Sequence, residues 1–308
     1  MEIRISREQD GLCVRQILKN ELHLSVKMIK YLKYRPMGIC VNGECVTVRR
    51  VLCTGDVLTL ATEDSESSPA LTPVDLPLEV VYEDADVVLP NKPADMPTHP
   101  SHDHYFDTVA NALAFRYARE SRAFVFRPIN RLDRNTSGIL LIARNKRAAG
   151  NLTQAMQSGM IHKTYLAVIE GELQEGCGVI DACLHRTAES IIVREVCMPT
   201  VPDADRARTE YRVLAVGNGH SLVEVTPLTG RTHQIRVHFA YSGHPLVGDD
   251  LYGTPSPLIA RHALHAYRLV FPHPVTGTQM DLCAPLAEDM RALILDCFPS
   301  YSLERSLS

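Results

Sequence analysis

Apolar and polar positions along this chain recur with two different periods, and the switches between them mark out its elements. Leu12, Val14, Ile17 and Leu18 follow helical spacing, and Ser25 can cap a second helix that carries Met28, Ile29 and Leu32 on one side. The period then shortens. Ile39–Val41, the turn Asn42-Gly43 and the run 45–48 predict a hairpin, and Gly55-Asp56 introduces a further strand over Val57–Leu60. Later, strand-like runs at 78–82 and 86–89 lead into a turn-rich loop at 91–100. A helix started by Asp107 or Thr108 follows, with Val109, Ala112, Leu113 and Arg116 at helical spacing as far as Ser121. The apolar run 139–143 predicts a core strand. Asn145 caps a helix with Ala148, Ala149, Leu152, Ala155 and Met156 on one face, closed by Gly159. Strands over 163–169 and 221–225 come next, the second leading through a turn into a helix that Gly243 ends. Strands outnumber helices without regular alternation, so the expected class is α+β with a mixed, largely antiparallel sheet, in preference to a doubly wound fold.

Composition adds little to this picture. With 45% apolar and 22% charged residues in 308, the chain is neither disordered nor a fibrous repeat, and it is long enough for two domains. It contains no long uninterrupted apolar run of membrane-spanning length, and Met1-Glu2-Ile3-Arg4 lacks the apolar core of a signal peptide, so no membrane association and a cytoplasmic location are expected. Nine cysteines without a Cys-x-x-Cys pair suit neither a disulfide framework nor zinc, and are expected to be buried thiols.

Charge changes the picture more. The net charge of −4 is unevenly spread: residues 1–60 carry ten Lys/Arg against six Asp/Glu, residues 61–86 eight acids and no base, and residues 87–308 twenty-two of each. An acidic stretch with Ser and Pro therefore divides a small basic module from a larger neutral one near residue 65. The expected organisation is a module over 1–62, a linker over 63–77 and a catalytic domain over 78–300. Lys27, Lys30 and Lys33 recur every three residues on the second helix, so they form a stripe facing away from its apolar side. Such a stripe is either a solvated helix face or a surface for RNA phosphates.

Three motifs concentrate the chemistry. Asn130-Arg-Leu-Asp-Arg-Asn-Thr-Ser-Gly138 places a carboxylate between two arginines just before the core strand at 139–143. Lys163-Thr-Tyr-Leu-Ala167 opens a strand, and Gly230-Arg-Thr-His-Gln-Ile-Arg-Val-His238 runs from a turn into a helix. In this order and spacing, with Asn91-Lys-Pro, His99-Pro100, Gly248-Asp-Asp-Leu-Tyr-Gly253 and Arg261-His-Ala-Leu-His-Ala266, they resemble the signatures of the RluA-type pseudouridine synthases over roughly residues 78–290. The first sixty residues, two helices followed by a small sheet, resemble the alpha-L RNA-binding module, a small α/β unit. Asn130, Asn135 and Asp95 depart from the family pattern without removing a chemical group.

The resemblance implies an enzyme that detaches uracil from ribose at nitrogen 1, turns it and rejoins it through carbon 5. It further implies an RNA partner, with ribosomal favoured over transfer RNA, and no cofactor or metal; separately, no obligate protein partner is evident in the sequence and a monomer is expected. Asp133 matches the catalytic aspartate, acting either as nucleophile or as base at the anomeric centre; Arg236 matches its ion-pair partner and Tyr165 the aromatic on which the flipped base stacks. Arg131 is the candidate to fill the gap left by that base or to bind phosphate. Lys27, Lys30 and Lys33 are the candidate RNA contacts of the first module. Taken singly, each residue has a plainer reading: an Asp in a polar turn is commonly a cap, a Tyr on a half-buried strand is commonly core, and Arg231 or Arg236 can be a surface salt-bridge former. A non-catalytic RNA-binding factor on the same fold, and a metal-dependent hydrolase built on His99, His102 and His104, are the competing functions.

Overall fold

The computed structural model describes residues 1–301 apart from 23, 63–66, 69, 70, 175, 189 and 191. Glu63, Asp64 and Glu66 of the acidic stretch and the side chain of Lys27 lie outside the described residues. The chain opens with β1 (Glu2–Arg4), α1 (Val14–Gln16), α2 (Val26–Tyr34), β2 (Ile39–Val41), β3 (Glu44–Cys45) and β4 (Val57–Leu60). Ser25 caps α2, its hydroxyl accepting the Met28 amide at 3.2 Å; Met28 and Leu32 are buried while Lys30 and Lys33 are exposed. Asn42 and Gly43 both take positive φ, the geometry that a two-residue hairpin turn requires. The hairpin is shorter than its sequence predicts. Beyond Cys45 the chain turns to α1, where the carbonyls of Val48 and Arg50 accept the Arg15 and Val14 amides that a helix start leaves unpaired. The strands form an antiparallel sheet in the order β1-β4-β2-β3 around a core that includes Val14, Ile17, Leu32, Leu52 and Leu58. β1 has no counterpart in the pattern reading.

The second half of the acidic stretch is not free in solvent. Leu71, Leu76 and Leu78 pack against the larger core, and the Thr72 carbonyl accepts from the Asn111 side chain at 2.7 Å. The first module also touches the rest of the chain, with Lys146 Nζ 3.3 Å above the centre of the Tyr31 ring.

From residue 79 the elements are β5 (Glu79–Glu83), β6 (Val87–Lys92), α3 (Val109–Arg119), β7 (Ser137–Ile139), β8 (Ile142–Ala143), α4 (Lys146–Gln157), β9 (His162–Glu170), β10 (Cys177–Asp181), β11 (Cys183–Arg186), β12 (Arg194–Cys197), β13 (Arg208–Gly217), β14 (His220–Pro227), α5 (Gln234–Tyr241), β15 (Leu264–Pro272), β16 (Gln279–Cys283) and α6 (Glu288–Cys297). One sheet takes ten of the strands, in the order β10-β13-β14-β9-β15-β7-β6-β5 with β16 beside β15 and β8 beside β6. β11 and β12 form a separate ribbon. All pairs in the large sheet are antiparallel except β15 with β7. The class is thus α+β with a mixed, largely antiparallel sheet. Among the described residues no helix is long and apolar enough to cross a membrane.

Both faces of the central strands are covered. Tyr165, Ala167 and Ile169 of β9 and Val223 and Val225 of β14 point to one core, which includes Leu113 of α3 and Leu152 of α4. Their neighbours Val168 and Leu222 point to the other, under Met290, Leu293 and Ile294 of α6. Thr108 and Asn145 cap α3 and α4 as their positions suggest. The run 139–143 is not one strand. Leu141 is diverted out of the ladder, its amide donating to Asn130 Oδ1 and its carbonyl accepting the Ile129 amide, both at 2.8 Å. That diversion fastens the preceding loop to the sheet. The cysteines are all free, and the expectation that they are buried fails for Cys45, Cys53, Cys177 and Cys283. These four sit in a turn or on edge strands, where no neighbouring element covers them.

Candidate active site

The Asp133 segment crosses the ends of the central strands, and its backbone is gripped from below. Leu132 is buried and exchanges hydrogen bonds with the Thr98 hydroxyl, which donates to its carbonyl at 3.0 Å and accepts its amide at 3.3 Å. The carbonyls of Arg134 and Asn135 are each held by a buried cation. Lys92 Nζ, wholly inaccessible, donates to the carbonyls of Arg134, Pro93 and Met96 at 2.8 Å each; Arg261 donates to the Asn135 carbonyl at 2.9 Å while pairing with Asp289. Burial, with the nearby Arg261 charge, pushes the Lys92 ammonium down to about 7. With Leu132 turned inward, Arg131 stands exposed and the Asp133 side chain is 29% exposed. Gly138 ends the segment at φ +115, and a Cβ there would lie 2.2 Å from the Ala266 carbonyl oxygen, so β7 meets β15 only because that side chain is absent.

Arg236 comes from the first turn of α5. Gln234 fixes that turn: its side-chain oxygen accepts from Thr229 and from the Arg231 amide, and its amide donates to the Arg208 carbonyl and the Thr209 hydroxyl. Arg236 is 5% exposed and pairs with the fully buried Asp249 through two bonds of 2.7 Å, Nε to Oδ2 and Nη2 to Oδ1. Its remaining nitrogen, Nη1, is 3.6 Å from Asp133 Oδ2. Burial opposes the guanidinium charge, but the Asp249 bonds and charge outweigh it and hold Arg236 above its ordinary value. Asp249 is likewise held below the usual carboxylate range, because its bonds to Arg236 overcome burial.

The structure thus brings Asp133 and Arg236 together, with Asp249 as the arginine's principal partner. Tyr165, on β9 beside Ala266 and Val225, is 8% exposed; burial, and then the Asp133 charge, push its hydroxyl above the ordinary phenol range, so it stays protonated. Arg231 is the surface salt-bridge former, 2.9 Å from Asp205. Lys30 and Lys33 lie in the first module, on α2. In the histidine loop, His102 is solvated and His104 bonds Asp107 at 2.6 Å and Arg134 at 3.2 Å. Among the described residues, the donors close enough to share an ion are instead Asp84, Asp86 and His273. The Asp84 carboxylate is already occupied there by the Tyr82 hydroxyl, the Asp86 and Val87 amides and His273, a net that ties β5 and β6 to β15.

Asp249, His233, Tyr252, His262, Lys92 and Arg261 received no role from sequence, although each stands inside one of the motifs. His262 hydrogen-bonds Thr136 at 2.8 Å, and burial first, then the Arg236 charge, push its ring down to about 3.

A family model described as RNA pseudouridylate synthase matches residues 86–241. The chain is 37% identical over 274 residues to the uncharacterized RNA pseudouridine synthase YjbO of Bacillus subtilis, covering 89% of this chain and 95% of that one. It is 35% identical over 286 residues to the ribosomal large subunit pseudouridine synthase D of Vibrio cholerae, covering 87% and 86%. The solved structure of human RNA pseudouridylate synthase domain containing 1 superposes with a TM-score of 0.58 at 30% identity, covering 70% of this chain and 87% of that one. Fold and relatives together define an RNA-modifying isomerase. The chain belongs to the RNA pseudouridylate synthase family, and its reaction converts uridine in RNA to pseudouridine.

Two outcomes follow from the buried charges. Asp249→Asn leaves the buried Arg236 charge without its hydrogen-bonded partner and with only the looser Asp133 and Asp250 contacts, and removing one partner of such a pair costs about 3–5 kcal/mol; urea denaturation should show a loss of that order, and a loss under about 1 kcal/mol would mean that the pair is solvated. His262 is neutral in the fold down to about 3, whereas an unfolded histidine gains its proton near 6.5. The unfolded chain therefore binds more protons in this window, so the contribution to stability is complete above about pH 6.5 and is lost as pH falls toward 3. Comparing denaturation near pH 7.5 and about pH 5, His262→Asn should lose less stability on acidification than the parent chain.

Proposed function

We propose that the chain isomerises specific uridines in structured RNA, ribosomal RNA first, with Asp133 as the reacting carboxylate and the target base flipped out of its stack. The observation that carries this reading is the half-buried Asp133 carboxylate set 3.6 Å from a guanidinium that is itself locked by Asp249. Isomerisation breaks the bond between C1′ and N1 and makes one between C1′ and C5; the C5 proton leaves and N1 gains one, so no electrons are exchanged. A carboxylate beside the anomeric carbon serves this chemistry, as nucleophile or as base, provided that it stays ionised when RNA closes the site, and Arg236 supplies the opposite charge.

Tyr165 gives the flipped uracil a fixed wall, with stacking worth about 1–3 kcal/mol per base offsetting the cost of unstacking. Arg131, exposed two residues before Asp133, takes the place of the flipped base or binds a neighbouring phosphate. The module over 1–62 binds RNA through Lys27, Lys30 and Lys33, while 78–300 holds the chemistry. The preference for ribosomal RNA is supported by relatives named as ribosomal large subunit pseudouridine synthases.

Asp133→Asn should abolish pseudouridine formation in purified protein while RNA affinity stays near that of the parent, because shape is kept and the ionised oxygen is lost. Substantial turnover by this variant would remove Asp133 from the role. Replacing Lys27, Lys30 and Lys33 together with Gln should weaken binding to long structured RNA and lower its salt slope by roughly 0.7–0.9 for each phosphate that is no longer neutralised. A short substrate held by the catalytic cleft alone should be less affected; an unchanged slope on long RNA would make the stripe a solvated face.

A further inference from the structure

His233 immediately precedes α5 in the left-handed region, at φ 57, and its ring lies between two parts of the site. Its Nε2 is 3.8 Å from Asp133 Oδ2, and its Nδ1 is 2.8 Å from the Tyr252 hydroxyl. That hydroxyl also accepts the backbone amide of Arg194 at 3.0 Å. With one lone pair taken by the amide, and with the phenol kept protonated by burial, the hydroxyl hydrogen is available to Nδ1. Nδ1 is then an acceptor and the ring proton sits on Nε2, facing a carboxylate that, when ionised, can only accept. The two ends of the ring therefore demand the same tautomer.

Arg236 reaches the same oxygen. Nη1 of the arginine and Nε2 of the histidine both lie within ion-pair distance of Oδ2 of Asp133, at 3.6 and 3.8 Å, so the two converge on one carboxylate oxygen. We propose that His233 is a positioning residue whose neutral Nε2–H, set by Tyr252, acts with Arg236 to hold Oδ2 of Asp133 and leave Oδ1 turned toward the ribose. The 3.8 Å separation shortens to a hydrogen bond when RNA fills the cleft, as active-site hydrogen bonds commonly tighten on substrate binding. This assignment rests on Asp133 being the reacting carboxylate, and it specifies which of its oxygens reacts.

The test is a set of full-length variants assayed for single-turnover pseudouridine formation with saturating RNA, alongside RNA affinity and Asp133→Asn. A hydrogen bond to a charged group is worth about 1.5–3 kcal/mol, so His233→Leu should slow the reaction roughly 10- to 100-fold with RNA affinity little changed. His233→Gln carries an amide N–H near the Nε2 position and should recover much of the rate; His233→Asn, whose amide falls at the Nδ1 position, should not. Tyr252→Phe, which frees the ring proton to move between the nitrogens, should give an intermediate rate. The Gln and Asn pair separates this role from a backbone one, because Asn tolerates the left-handed conformation better than Gln. Recovery by Asn above Gln, or a full rate in the Leu variant, overturns the proposal. An active Asp133→Asn variant would instead overturn the reading on which it rests, and an inactive one beside a fully active His233→Leu would overturn the positioning role alone.

Discussion

Arg236 carries a full charge with 5% of its surface exposed, and the free-energy cost of that burial governs what surrounds it. A carboxylate that must stay ionised beneath bound RNA needs a cation that water cannot screen, and such a cation needs a second anion to be stable without the substrate. Asp249 meets that need with two short bonds and leaves one guanidinium nitrogen for Asp133. Were Asp133 the sole partner, its geometry would be set by salt bridging, with both oxygens drawn to the fork. The division of labour between two aspartates lets Asp249 hold the guanidinium while the Asp133 carboxylate stays partly exposed beside it.

The same division appears under the Asp133 segment. Its backbone lies outside the sheet, yet the carbonyls of Arg134 and Asn135 face a core where water is excluded. Lys92 and Arg261 satisfy successive carbonyls, at Arg134 and Asn135, and Thr98 takes both polar groups of Leu132. Asn130 fastens the segment from the side by capturing the Leu141 amide, and so interrupts the strand that the apolar run 139–143 would otherwise form. The segment is irregular in conformation but rigid in its attachments, which is what positioning to a fraction of an ångström requires.

How far the sequence could be read follows from the range of the forces involved. Ser25, Thr108 and Asn145 were legible because a cap acts within four residues, and β9 and β14 because alternation is local. Asp133, Arg236 and Tyr165 stood out through their motifs, and the general class of fold through the ratio of strands to helices. The pairing of Arg236 with Asp249 was not legible, for it joins a helix to the loop beyond it and depends on how α5 packs. Nor was the direction of Lys92, whose burial at the end of β6 inverts the usual expectation for a lysine. β1 is too short for a period to register, and α6 is absent from the pattern-based elements, although its Met290, Leu293, Ile294 and Cys297 pack in one cluster with Val168 and Leu222 of the central strands.

The parallel contact of β7 with β15, through Ser137 with His265 and Gly138 with Ala266, has a consequence for how the protein comes into being. It joins two segments separated by almost half the chain, and the groups gathered around Asp133 are made in the reverse order of their dependence: the loop first, its arginine much later, the strand beneath both later still. Long-range closures of this kind are slow and come late in folding. A partly synthesised chain therefore carries Asp133 without Arg236 and without the strand that underlies both. The grouping of these side chains is therefore completed only after β15 has been made.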